Sequence, residues 1–375
     1  MESQVTGTHE KSHALRLAKP VVGPRARQWI EQIISSGRLI QGPFCERFEE
    51  ALGNIVSSAH AIAMNSGTSA LYACLKACDI GPGMRVGISD LGFAATINAV
   101  ELAGARPVFL DVEEETLDIS LKCIEDTGPG LDALIVVHQL GLPAGRGIFH
   151  KAHDDKVMIV EDAACGLGSK LGSRSCGTLG IAGTFSFHPR KIVTTGEGGA
   201  IVTDNEHIAR RAMAFRNHGF SGNEKNDIIE PGMNLRLSEI SCAIGLEQLE
   251  NLESTLEKRR SLLAVYKAML DRVPGIRILS NNENDTWNVQ TLAIMFEDSR
   301  DRDRAMTILN ADQIEANPPV ASLSAIPYYA KKYKIPLRQV ETSRKCTSLI
   351  LAIPCYEGMD ESDIERVCMV LKSCF

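Results

Sequence analysis

Aromatic side chains make up only 5% of this sequence, and no apolar run approaches the roughly 18–20 residues that a membrane-crossing helix needs. No block of five or more basic residues occurs, and the formal charge is −7, so neither a membrane nor a nucleic acid is expected as a partner. The opening stretch, "MESQVTGTHEKSHALRLAKP", lacks the apolar centre of a secretion signal. The 11 cysteines are odd in number and scattered, with no paired C-x-x-C motifs. That excludes a disulfide framework and an evident zinc site, and it fits a reduced, cytoplasmic compartment. Cys74 and Cys78 sit four apart in a helical pattern and are expected as neighbours on one helix face. No metal is expected. No internal repeat or low-complexity segment interrupts the chain.

What is present reads as an ordinary globular protein. With 375 residues and 44% hydrophobic content, the chain is long enough for two cores. Residues 1–20 are polar and read as a loose or draped arm. "PRARQWIEQIISSG" predicts a helix from the spacing of Trp29, Ile30, Ile33 and Ile34, with Gly37 as its stop. "PFCERFEEALGNIV" predicts a second. Short apolar strands then alternate with helices: "AHAIAM", "RVGIS", "RPVFLDV", "LDALIVV", "KVMIVED", "GTFSF" and "AIVTD". This alternation predicts an α/β fold, a mostly parallel sheet covered by helices on both faces. From about Ser254 the character changes to a long charged helix, the strand-like "WNVQTLAIMF", a helix near 300–310 and a closing helix in "DESDIERVCMVLKSC". The expected division is a large domain over 1–253 and a smaller α+β domain over 254–375.

Chemistry concentrates around "GTFSFHPRKIVTTGEGGA". Lys191 lies between the end of a strand and a glycine cluster, whereas most lysines sit on solvated helix faces. Ligands of open parallel sheets bind at the carboxyl ends of the strands, and several unusual residues fall at such ends. Asn65-Ser66-Gly67-Thr68 closes one strand and opens a helix, which bares backbone N–H groups suited to a phosphate. A simple capped turn would look the same. Asp162 ends "VMIVED", four apolar residues followed by Glu161, where a carboxylate is costly unless a cation faces it; it also reads as a helix cap. Ser186 precedes Lys191 by five residues. Gly196–Gly199 permits a tight turn. Phe93, just past another strand, is either a stacking face for a ring or ordinary core. Pyridoxal 5′-phosphate accounts for this set: an amine for its aldehyde, an anion for its pyridine nitrogen, donors for its phosphate and a ring to stack on.

In order and spacing, "NSGTSAL", "GFAAT", "EDAA", "SFHPRKIVTTGEGG" and "GMNLRLSEISCAIGLEQLE" resemble the DegT/StrS family of pyridoxal-phosphate-dependent sugar aminotransferases. The resemblance runs from about Gly42 to Arg260 and more loosely to the end. It implies a fold-type I architecture with a sheet of seven-stranded type. It implies that Lys191 carries the cofactor and shuttles the proton, and that Asp162 pairs with its ring nitrogen. Gly67, Thr68 and Ser186 would hold the phosphate and Phe93 would cover the ring. Asn234 would reach the cofactor of a partner subunit in a homodimer. His138, in "VVHQLGLPA", would support the substrate side, and His188 would brace the loop or touch the cofactor. The implied reaction moves an amino group from an amino acid such as L-glutamate to a keto-sugar, in nucleotide-linked form.

The sequence departs from the family where substrate would lie. Cys165 stands where a glutamine is common, Gly92 where a threonine is common, and "NPPVASLSAIPYY" replaces a His-Tyr-Pro segment. A non-sugar ketone, such as a cyclitol or ring precursor, is therefore a second expectation for the acceptor. A sugar dehydratase of the same family would carry histidine in place of Lys191. A scaffold protein would keep the fold and lose the chemistry. A Rossmann dehydrogenase is excluded, since no G-x-G-x-x-G follows the first strand.

Overall fold

The structure, a computed structural model, describes residues 13–127, 130–221, 227–280 and 284–375. Most of the arm expected over residues 1–20 therefore lies outside the described residues. In chain order the strands of the first part are β1 (His60–Met64), β2 (Arg85–Ser89), β3 (Leu91–Gly92), β4 (Arg106–Leu110), β5 (Ala133–Val137), β6 (Met158–Asp162), β7 (Lys170–Leu171), β8 (Arg174–Ser175), β9 (Ala182–Ser186) and β10 (Gly199–Thr203). Seven of them form one sheet in the order β1-β10-β9-β6-β5-β2-β4. All run parallel except β10, which pairs antiparallel with both neighbours. Central strands such as "ALIVV" are apolar throughout because helices cover both faces.

The helices begin and end for local reasons. Pro24–Ser36 opens with proline and stops at Gly37, which adopts the left-handed conformation expected of a C-terminal glycine. Gly67–Ala77 is capped by Ser66, whose hydroxyl accepts from the Ser69 N–H. Pro43–Val56 has no side-chain cap of its own. Glu239, nearly two hundred residues away and buried, supplies one: its carboxylate accepts from the N–H groups of Gly42 (2.9 Å), Phe44 (3.0 Å) and Cys45 (2.8 Å). The long charged helix expected from about Ser254 is Leu252–Leu270, directly preceded by a separate helix, Glu239–Glu250. Cys74 and Cys78 are hydrogen-bonded neighbours, and all 11 cysteines are free thiols. None of the described helices is long and apolar enough to cross a membrane.

The second sheet holds β11 (Ile276–Ile278), β12 (Ala293–Phe296) and β14 (Ile350–Ala352), with β13 (Ala321–Ser322) between them in sequence. β13 does not join that sheet; it pairs with β3 of the first part. Two buried carboxylates fix this crossing. Asp90 accepts from the Ser322 hydroxyl (2.6 Å) and the Ser324 N–H (2.7 Å), and Asp111 accepts from Thr342 N–H (2.9 Å), Ser343 N–H (2.7 Å) and the Ser343 hydroxyl (2.6 Å). The helix Pro327–Tyr333 lies on the first part through Tyr329 to Asn98 and Tyr333 to Glu101. The segment 317–343 thus roofs the carboxyl edge of the large sheet.

Candidate active site

A cavity of about 580 Å³ opens at that carboxyl edge. Its floor is made of strand ends. Asp162 is the last residue of β6 and Ser186 the last of β9; the Asn65–Thr68 turn follows β1. Because β10 alone runs the other way, its first residue, Gly199, arrives at the same edge. A side chain on Gly199 would lie 2.4 Å from the Ser66 carbonyl, so the glycine lets this turn close on the helix start.

The Lys191 side chain lines the cavity and is half-buried, with its amine 2.9 Å from the Cys165 sulfur. No carboxylate of the described residues forms an ion pair with it. Asp162 is 8% exposed; its Oδ2 accepts from the Thr96 hydroxyl at 2.7 Å and its Oδ1 from the Ala164 N–H at 3.2 Å. Among the described residues no cation pairs with this buried carboxylate. A buried charge without a counter-ion is expensive, and a protonated ring nitrogen held in the cavity would satisfy it.

The proposed phosphate end also fits. Within the described residues, no hydrogen bond takes the N–H groups of Gly67 and Thr68 at the start of the Gly67–Ala77 helix. Such free donors, with the positive end of the helix dipole, suit an anion. A β-carbon on Gly67 would come within 2.7 Å of the Ser186 β-carbon, so residue 67 must be small for the helix start and Ser186 to approach. Phe93 is 75% exposed and lines the cavity. This removes the ordinary-core reading and leaves an aromatic face bare beside the site. The residues present therefore match pyridoxal phosphate at each end: amine, anion, ring face and phosphate donors.

His138, expected to support the substrate side, belongs to the cavity lining. Its side chain is fully buried, with Nε2 2.7 Å from the Glu161 carboxylate and Nδ1 accepting the Ala144 N–H at 3.0 Å. Nδ1 is thus unprotonated, and Nε2–H donates to Glu161. With both nitrogens engaged, His138 braces the end of β5, where the cavity begins. His188 is exposed at the cavity; its Nδ1 accepts the Arg190 N–H at 3.2 Å, which makes it a brace of the lysine loop. Asn234 does not line this chain's own cavity; it is exposed and bridges to Asn217.

Some residues of the site escaped the sequence reading. Thr96 carried a signal, since it lies one helical turn after Phe93 in "GFAAT". Gln290 carried none: its side chain donates to the Arg190 carbonyl at 2.6 Å and accepts the Ile192 N–H at 2.8 Å, clamping the lysine from both sides across 100 residues of sequence. The mouth of the cavity was equally hidden. Leu17 and Ala18 reach it because Leu15 pairs with the backbone of Gln313 and Glu315, and Asn317, Pro319 and Val320 complete the wall. Arg190 is ion-paired there with Glu315 at 3.1 Å, and Glu315 also accepts the Leu17 N–H at 3.1 Å.

A seven-stranded sheet with one reversed strand, and a lysine amine and an unpaired buried carboxylate sharing its carboxyl edge, fit an enzyme of fold-type I that uses pyridoxal phosphate. The comparisons narrow the class: residues 21–372 match the family model for DegT/DnrJ/EryC1/StrS aminotransferases, and the chain belongs to that family. It is 32% identical to the GDP-perosamine synthase of Caulobacter vibrioides over 336 residues, covering 88% of this chain and 90% of the relative. It is 28% identical to the spore coat polysaccharide biosynthesis protein SpsC of Bacillus subtilis, covering 96% of each. A solved DegT/DnrJ/EryC1/StrS aminotransferase from Brucella abortus superposes with a TM-score of 0.87 at 30% identity, over 93% of this chain and 95% of that one. The chain is thus an enzyme of the pyridoxal-phosphate-dependent aminotransferase type, which disfavours the dehydratase and scaffold readings.

Proposed function

We propose that this enzyme transfers an amino group from an amino acid, L-glutamate first, to a keto-sugar carried on a nucleotide. The observation that carries the reading is the pairing of Lys191 with the counter-ion-free Asp162 at one cavity. The relatives' names, one a polysaccharide biosynthesis protein and one a GDP-perosamine synthase, support a sugar acceptor. Bound pyridoxal phosphate supplies an aldehyde to accept the amino group and a protonated ring to spread the negative charge that develops beside it.

The chain's own residues do the rest. Lys191 Nζ would hold the cofactor through its aldehyde and, as a free amine, would take up and give back the donor's α-proton. Cys165, in contact with Nζ, limits where the freed amine swings. Asp162 keeps the ring nitrogen charged, and Thr96 keeps Asp162 aimed at it. Gly67, Thr68 and Ser186 hold the phosphate; Phe93 covers one ring face and shuts out water. In a homodimer the exposed Asn234 reaches the partner's cofactor, and its absence from this chain's cavity accords with that role. Such small-molecule chemistry suits a cytoplasmic enzyme.

The test is an absorption spectrum of the purified protein with added pyridoxal phosphate, followed by glutamate. The lysine-bound cofactor absorbs at roughly 410–430 nm and the amine form near about 330 nm. Conversion of the first band to the second establishes the donor step. A stable first band points to another donor, and no band at all refutes the assignment.

A further inference from the structure

The cavity holds one feature that none of these roles uses. Arg190, adjacent to Lys191, supplies the sole guanidinium among the described residues that line it. Its backbone is fixed on both sides, by Gln290 at its carbonyl and His188 at its N–H. The side chain is therefore launched from a rigid point, and it ends at the mouth against Glu315. That ion pair is open to solvent, with the two side chains 57% and 36% exposed. Exposed pairs of this kind add little stability and exchange readily. Glu315 would not be stranded by the exchange, because its other oxygen keeps the Leu17 N–H.

The substrates of an aminotransferase are anionic. An amino acid donor brings an α-carboxylate, and an acceptor on a nucleotide brings a diphosphate. Arginine matches both shapes through two parallel N–H donors. The lining residues Leu17, Pro319 and Val320 have no side-chain charge to offer. We infer that Arg190 is the anion-binding, specificity-determining residue of this cavity, and that its guanidinium leaves Glu315 for a carboxylate or phosphate group of the substrate. This inference rests on the proposed aminotransferase reading.

The experiment uses the full chain loaded with pyridoxal phosphate, as wild type, Arg190→Gln, Arg190→Lys and Glu315→Gln. Two probes are applied: L-glutamate, through the concentration dependence of cofactor conversion, and GDP, UDP and dTDP, through calorimetric titration. Arg190→Gln should weaken one class of probe about tenfold to a hundredfold, the range for a hydrogen-bonded charge. The effect should fall on the concentration dependence more than on the limiting rate. Arg190→Lys should recover only part of it, because an ammonium has no fork, and Glu315→Gln should tighten the same probe a few-fold. Loss confined to glutamate assigns the donor's carboxylate; loss confined to the diphosphates assigns the acceptor. The inference is overturned if Arg190→Gln changes neither class by more than about threefold, or if wild type binds neither. Cofactor absorbance and thermal unfolding of each variant confirm that it folds. A wild type that binds diphosphates through Arg190 yet converts no amino acid would sink the aminotransferase reading and leave the anion site standing.

Discussion

The floor and the mouth of the cavity are built by different physics. On the floor, Asp162 and Lys191 are buried or half-buried and held by hydrogen bonds, Asp162 by Thr96 and its own turn, Lys191 by Cys165 and the clamp of Gln290 on its neighbours. At the mouth, Arg190 and Glu315 meet in solvent, and the wall comes from the N-terminal segment and from 317–320. A buried charge has one acceptable geometry, since any other leaves it unpaired in a poor dielectric. An exposed one has many. The contrast teaches that burial fixes the partners of the floor groups, whereas solvent leaves the ion pair at the mouth free to exchange.

The sharpest way to break this comparison is to remove the amine. Lys191→Ala should abolish turnover, by at least about four orders of magnitude, while the protein still binds cofactor without linkage. Ordinary turnover in that variant would mean the floor does not carry the chemistry. Next is Asp162→Ala, expected to slow the proton shift by about two to four orders of magnitude, read in single turnover with glutamate. A near-normal rate would remove the carboxylate's role. Gln290→Ala tests whether the floor depends on its clamp. It frees the Arg190 carbonyl and the Ile192 N–H and should lower stability by about 1–3 kcal/mol, measured by urea unfolding. No loss would show that the loop holds itself.

The mouth predicts smaller and more selective effects. Val320→Ala should change the acceptor's KM by roughly three- to tenfold, with the larger effect on acceptor than on donor. An equal effect on both would erase the distinction between the regions. A last effect lies outside both. Burial pushes the Asp118 carboxyl up to about 6, against the Gly145 N–H that lowers it. The folded protein therefore holds that proton more tightly than the unfolded chain, so stability from this group is present at acid pH and lost as pH rises from about 4 to 6. Asp118→Asn should flatten that slope in unfolding curves measured across the window.

Much of the floor was legible in the sequence because each element there is local. Strand ends follow from where apolar runs stop, Ser66 marks a helix start, and Gly67, Lys191 and Gly196–Gly199 stand within short motifs whose residue types the chemistry demands. The partners of His138 were not legible, because sequence shows that a histidine follows a strand, not which way its ring turns. Its direction is decided by Glu161, a buried carboxylate that also accepts the N–H groups of Gly177, Leu179 and Gly180.

By itself, then, the sequence determined the class: alternating strands and helices, a parallel sheet, a lysine and a carboxylate at its carboxyl edge, and a family resemblance carried by ordered motifs. Only the tertiary structure decided how the site is completed. Glu239 capping a helix almost two hundred residues before it, Asp90 and Asp111 fastening the roof, Gln290 clamping the lysine and Arg190 meeting Glu315 are all contacts between distant segments. Periodicity and local propensity act over a few residues. Pairing of a buried polar group is settled only when packing brings its partner within hydrogen-bond reach, and no local pattern records which partner that will be.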